Sequence, residues 1–248
     1  MKILIPLPSY GFDPTEVALP WRILTDHKHH VFFATPAGKS GAADELLLTG
    51  NKLRIWRKIL RTRQDAVIAY RELEKIDEFR NPLAYHQLDQ NDFDALLLPG
   101  GHDKGVKEYL ESKQLQNLVV DFFKIEKPVA AICHGVVLAA RSIDPATGKS
   151  VLYTYKTTAL LKSQERMAYQ LTRLWLKDYY LTYPDVTVEV EVKAALADRN
   201  NFIKGPTPLK RDDLLNLNRG FTVKDRNYLS ARWPGDVYNF ALEFARML

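Results

Sequence analysis

The sequence predicts an α/β protein: a mostly parallel sheet with helices on both faces. Three observations predict it. Short, continuously apolar runs recur along the chain: "KILIPL", "HVFFATPAG", "DALLLPGG" and "PVAAIC". Longer segments with helical periodicity lie between them. Several of the runs stop at Pro or Gly, where a strand must turn. Strands buried on both faces read as unbroken apolar runs, and helices are what cover those faces.

Taken in order, "KILIPL" is the first strand, and a helix follows from about Pro14 to His29 with Asp13 or Thr15 as its cap. "HVFFATPAG" is the second strand. Residues 40–90 interrupt the alternation and read as a cap or insertion within a single domain spanning 1–248. "DALLLPGG", residues 94–101, is the third strand, and about 103–125 is a helix. "PVAAIC" is the fourth strand, and "GVVLAARSI" is its helix. "VLYTYKTTALL" reads as a fifth strand region, and "SQERMAYQLTRLWLKDYYL" as a strong helix. In "DVTVEVEVKAAL" the valines 186, 188, 190 and 192 alternate with polar residues, which predicts a strand near an edge with one wet face. "GDVYNFALEFARML" is a C-terminal helix.

Bulk composition bounds the function. With 248 residues and 46% hydrophobic content the chain can bury a large core. A single cysteine cannot form an intrachain disulfide, so a reducing cytoplasm is the expected setting. "MKILIPLPSYG" breaks at Pro6 and Pro8 before a signal-type apolar region forms, and no run approaches a membrane span. The net charge is +5, and six of the cations fall in "NKLRIWRKILRTR", residues 51–63. Leu53, Trp56 and Leu60 fall near helical spacing there, so a solvated basic face over a small apolar stripe is preferred to a nucleic-acid surface. His27, His29 and His30 crowd a predicted helix-to-strand turn, where adventitious metal binding is a better account than a built site.

The chemistry is expected at the carboxyl ends of the strands, where parallel α/β folds bind ligands. Cys133 falls where "VAAI" ends and "GVVLAAR" begins. Such a strand-turn-helix corner is a nucleophile elbow, and the helix start is expected to lower the thiol pKa. A buried cysteine packing as a small hydrophobe is the competing account. "LLLPGGHD" ends a neighbouring strand, which puts Gly100, Gly101 and His102 on the same edge; the Gly-Gly turn lets N–H groups approach an oxyanion. Glu16 opens the helix after the first strand, in "PSYGFDPTEVALPW", where its carboxyl group can meet the thiol. Trp233 is taken as core packing, with a pocket-lining place as the alternative.

These segments together resemble the ThiJ/PfpI family within the class I glutamine amidotransferase-like fold. The pieces that carry the resemblance are the first strand with Glu16, "LLLPGGHDKGVKEYL", "VAAICHGVVLA", "KTTALLKSQE" and "FTVKDRNYLSARWPGDVYNFALEF". The resemblance implies a flavodoxin-like three-layer sandwich. It implies Cys133 as nucleophile, Glu16 as its acidic partner, and the amides of Gly101 and His134 as oxyanion donors. His134 directly follows the cysteine, as in family members with a Cys-His-acid triad. Glu165 in "KSQE" is the candidate third member, ahead of Asp144 and Asp178. Glutamine amidotransferases of this fold carry a His-x-Glu pair near the C-terminus. "DRNYLSARWPGD" contains no His, which argues against glutaminase activity.

The activity so implied is that of a cysteine-dependent hydrolase or glyoxalase III-like lyase on small carbonyl compounds, with no metal or organic cofactor. A peptidase or amidase is a related possibility. A non-enzymatic stress protein, a redox sensor or chaperone, is the alternative from another class. A small-molecule substrate and a second copy of the chain are the expected partners, with no membrane and no nucleic acid.

Overall fold

Lys2–Pro6 buries every residue but the first, as a strand with helices on both sides must. A computed structural model of the chain describes all of residues 1–248. Seven strands form its main sheet, in the order Thr222–Asp225, Tyr228–Ala231, Val129–Ile132, Ala95–Leu98, Lys2–Pro6, His30–Thr35 and Leu83–Ala84. All pairings are parallel except the outermost hairpin, Thr222–Asp225 with Tyr228–Ala231. The four central strands are buried along nearly their whole length.

On one side of the sheet, Pro14–Asp26 packs against Gln64–Leu73 and against the C-terminal helix Val237–Ala245. A second helical group joins Lys113–Lys124, Gly135–Arg141 and Val188–Ala195. The result is the expected three-layer α/β sandwich. Asp13 is the cap of the first helix: its carboxylate accepts from the Thr15 and Glu16 amides at 2.7 and 3.3 Å. No helix is long and apolar enough to cross a membrane.

Three sequence expectations are corrected. "DVTVEVEVKAAL" is not an edge strand: Val188–Ala195 is a helix. Val188, Val192 and Leu196 recur every four residues and are all buried, whereas Val190 is exposed. Ion pairs from Glu189 to Lys193 and from Glu191 to Arg141 stabilise that face, and the Glu165 carboxylate accepts from the Val188 N–H at 3.0 Å. These interactions outweigh the β-propensity of valine. "VLYTYKTTALL" also forms no strand of the sheet; it is a run of turns with one isolated bridge, Thr157 to Phe202. Its place beside Val129–Ile132 is taken by Tyr228–Ala231. The helix expected over 103–125 is broken, with Ser112 starting a new helix at Lys113.

Within residues 40–90, Gln64–Leu73 belongs to a helical layer and Leu83–Ala84 to the sheet edge. The basic segment forms only a short 3-10 turn, Arg54–Trp56, and one helical turn, Arg57–Leu60. Its cations are mostly spent locally. Arg57 and Arg61 donate to the Thr49 and Leu48 carbonyls, Arg63 pairs with Asp65, and Arg54 stacks on Trp175.

Candidate active site

Parallel register carries the chain ends of four central strands to one edge. Pro99–Gly101, Cys133 and Arg232 therefore follow their strands at neighbouring points of that edge. Cys133 extends the ladder by donating its N–H to the Ala231 carbonyl at 3.2 Å. Its φ is 57°, in the left-handed region that a side-chain-bearing residue enters only when the surroundings hold it. The helix Gly135–Arg141 starts two residues later. Gly135 lies so close to the next strand that a Cβ there would come within 2.0 Å of the Leu98 carbonyl oxygen.

The side chains around the thiol converge. His134 Nδ1 lies 3.6 Å from Cys133 Sγ. Glu16 is fully buried, and its Oε2 accepts from the Gly100 N–H at 2.8 Å. Glu16 Oε1 has no hydrogen-bond partner, and the carboxyl and thiol interact through charge and proximity. A Cβ on Gly100 would stand 2.6 Å from His134 N, 3.0 Å from Glu16 Oε2 and 3.1 Å from Cys133 Cβ, so only glycine fits between them. The N–H groups of Gly101 and His134 are used in no turn or loop backbone hydrogen bond. His102 stacks edge-on against His134, with 5.1 Å between ring centroids.

Burial decides the protonation states. Cys133 is 1% exposed. Desolvation, then the charges of Glu16 and Asp13, push its thiol pKa well up. The expectation of a thiol acidified by the helix start is therefore corrected. A short helix dipole contributes about 1 kcal/mol, less than the cost of a buried charge beside carboxylates. Desolvation likewise raises the Glu16 carboxyl well above its ordinary value, with Asp13 adding to it. Both shifts favour the neutral forms of the thiol and the carboxyl group. His134 is held neutral, its pKa driven well down by burial and by His102. His102 is lowered to about 4 for the same first reason.

Glu165, the candidate third member, does not join this group. Its carboxylate is committed to the Val188 amide, and His134 Nε2 has no partner in the chain. Burial raises Glu165 to about 7. The weaker choices also lie elsewhere: Asp144 pairs with Lys124 and Asp178 with Lys104. No group of His, Cys, Asp and Glu has the arrangement to hold a metal ion.

Beside the thiol group opens a cavity of about 240 Å³. Asp13 and His102 form its wall nearest the sheet, and Tyr180, Arg211 and Trp233 also line it. The remaining lining is mostly apolar. Arg211 and Tyr180 were not picked out from sequence, because both sit in irregular chain with no spacing signal; Trp233 had packing as its default.

The sequence model described as ThiJ/PfpI family-like matches residues 7–206. The chain belongs to the ThiJ/PfpI family. Its relatives in that family include an uncharacterized protein of Schizosaccharomyces pombe, 27% identical over 183 residues, covering 69% of this chain and 67% of the relative. A protein named deglycase from Thermococcus kodakarensis is 26% identical over 168 residues, covering 67% of this chain and 69% of that one. The crystal structure of glyoxalase III from Candida albicans superposes with a TM-score of 0.73 at 19% identity, covering 100% of this chain and 97% of that chain. At that identity the superposition establishes the shared ThiJ/PfpI fold.

Proposed function

We propose that this protein uses Cys133 as a nucleophile toward small carbonyl compounds, as a cofactor-independent hydrolase or glyoxalase III-like lyase. What carries the reading is the left-handed corner at Cys133, which brings Sγ to 3.6 Å from His134 Nδ1 and beside a buried Glu16. The names deglycase and glyoxalase among its relatives point the same way.

For a 2-oxoaldehyde the chemistry balances without an outside oxidant. Sulfur adds to the aldehyde carbon, the thiol proton passes to His134, and the carbonyl π pair moves onto oxygen. The amides of Gly101 and His134 hold that oxyanion. Imidazole as weakly basic as this one then gives its proton to the oxygen of the neighbouring carbonyl, which becomes the 2-hydroxyl. The Glu16 carboxylate takes the hydrogen from the former aldehyde carbon and delivers it to the neighbouring carbonyl carbon, leaving a 2-hydroxyacyl thioester. A carboxyl group with a raised pKa is the stronger base for that transfer. Water then cleaves the C–S bond, releasing a 2-hydroxy acid and the thiol.

The deciding experiment is lactate formation from methylglyoxal without glutathione. Wild type is expected to turn over and Cys133→Ala to fall to the background rate; equal rates overturn the reading. A homodimer in a reducing compartment goes with this reading; light scattering is expected to give twice the chain mass.

A further inference from the structure

The cavity beside Cys133 holds an unusual set of buried polar atoms with no partner in the chain: Arg211 Nη1, Trp233 Nε1, Tyr180 OH and His102 Nδ1. Leaving such groups unmade costs about 1–3 kcal/mol each, so their coincidence in one hollow calls for a ligand. Tyr180 is 3% exposed and is one of the residues that line the cavity. Two of the four, the guanidinium and the indole N–H, can only donate. The complementary group must therefore accept.

The Arg211 guanidinium is otherwise held by one bond, from Nη2 to the Ile59 carbonyl at 3.1 Å. Its Cζ lies 5.7 Å from the Trp233 ring centroid, so the two donors belong to neighbouring side chains. The charges acting on Arg211 are Asp13, Arg63 and Asp65. Arg63 and Asp65 are paired with each other. Asp13 makes no ion pair with Arg211, and its Oδ1 is occupied by the Thr15 and Glu16 amides. One cation with a free N–H thus belongs to a hollow whose other surfaces include Asp13, Leu47, Leu160 and Leu171. Burial, a single cation and the nearby Asp13 favour a monoanion on an apolar body over a phosphate.

We infer that this cavity seats a carboxylate carried by the substrate, on Arg211 Nη1 and Trp233 Nε1–H, with the substrate's apolar part between the leucines. The assignment rests on the proposed reaction for the word substrate: His102, which lines the cavity, stacks on His134, and His134 in turn lies 3.6 Å from the thiol. The preferred compounds are then carbonyl-bearing carboxylic acids of several carbons, with methylglyoxal a slower substrate of the same site.

The test uses hexanoate and hexanamide as probes, titrated calorimetrically into the full chain. Hexanoate is expected to bind at least about tenfold more tightly than hexanamide. Trp233→Phe removes the N–H and keeps the ring. It is expected to weaken hexanoate severalfold and leave hexanamide unchanged. Arg211→Met is expected to cost hexanoate about tenfold or more. Equal binding of acid and amide, no binding of either, or undiminished hexanoate binding by folded variants overturns the assignment. If Arg211→Met does not fold, Trp233→Phe carries the result. Hexanoate binding by a protein inert toward methylglyoxal keeps the cavity and refutes the reaction; turnover without hexanoate binding does the reverse.

Discussion

Glu16 and Gly100 lie 84 residues apart in the chain, yet the Gly100 N–H donates to Glu16 Oε2 at 2.8 Å, and both lie against Cys133. This bond fixes the carboxyl group while leaving its other oxygen unpartnered. The glycine turn thus serves the acid as well as the oxyanion: Gly100 holds the carboxyl group, and Gly101 keeps its amide for the substrate.

Glu16→Gln keeps an oxygen to accept from Gly100 but can neither ionise nor carry a proton. Turnover of a carbonyl substrate is expected to fall about a hundredfold or more. Glu16 is the leading charge that raises the thiol after desolvation, so its removal moves the thiol pKa down. The rate of Cys133 alkylation by iodoacetamide, followed against pH, is expected to rise at lower pH in the variant than in wild type. An unchanged profile contradicts the coupling.

Gly100→Ala puts a methyl group 2.6 Å from His134 N. The neighbours must separate, and a displacement of about 1 Å costs about a hundredfold in rate. Activity is expected to drop on that scale while the chain still folds. Gly135→Ala, facing backbone at 2.0 Å, is expected to yield insoluble protein instead. Activity assays and thermal melts of the two variants separate these outcomes.

Glu165 titrates at about 7 in the folded chain against an ordinary 4.5. The folded state keeps a proton that the unfolded state releases, so the stability from this group is complete below pH 4.5 and is lost as pH rises through 7. Glu165→Gln preserves the acceptor for the Val188 amide and does not titrate. The variant is expected to gain on wild type between pH 5 and 8, by up to about 3 kcal/mol. Urea unfolding at both pH values measures the difference; a gain toward low pH contradicts the assignment.

Arg232 and Asp236 form a fully buried pair, with bonds of 2.8 Å from Nε and from Nη2 to the two carboxylate oxygens. Asp236→Asn leaves the guanidinium without its counter-charge and is expected to cost about 3–5 kcal/mol in urea unfolding. Trp233 lies between the two in sequence, so hexanoate binding is expected to weaken as well.

Most of the sandwich could be read from sequence because its central strands are unbroken apolar runs ended by Pro or Gly. The edge hairpin could not: "TVKDRNYLSA" is polar, and its turn uses Arg226 at a φ of 55° instead of glycine. The valines of 186–192 carry the period of a strand and the period of a helix together, and only the partners of Glu189 and Glu191 decide between them. At the site, Cys133, His134, Glu16 and Gly100 could be placed together because strand ends in a parallel sheet share an edge. Glu165 could not be placed, since its contact depends on where a later helix starts. Arg211 and Tyr180 are brought to the cavity by loops that carry no periodic signal.

The apolar walls of the hollow come mainly from Leu47, Ile59 and Leu60, from Leu160–Leu171 and from Pro208 and Leu209, excursions outside the sheet, whereas the thiol, its carboxyl neighbour and the glycine turn are anchored to strand ends. Selectivity and reactivity are thereby assigned to separable parts of the molecule. Exchanging the excursions retunes which compound is admitted, with the reacting atoms left in place on a scaffold that need not change.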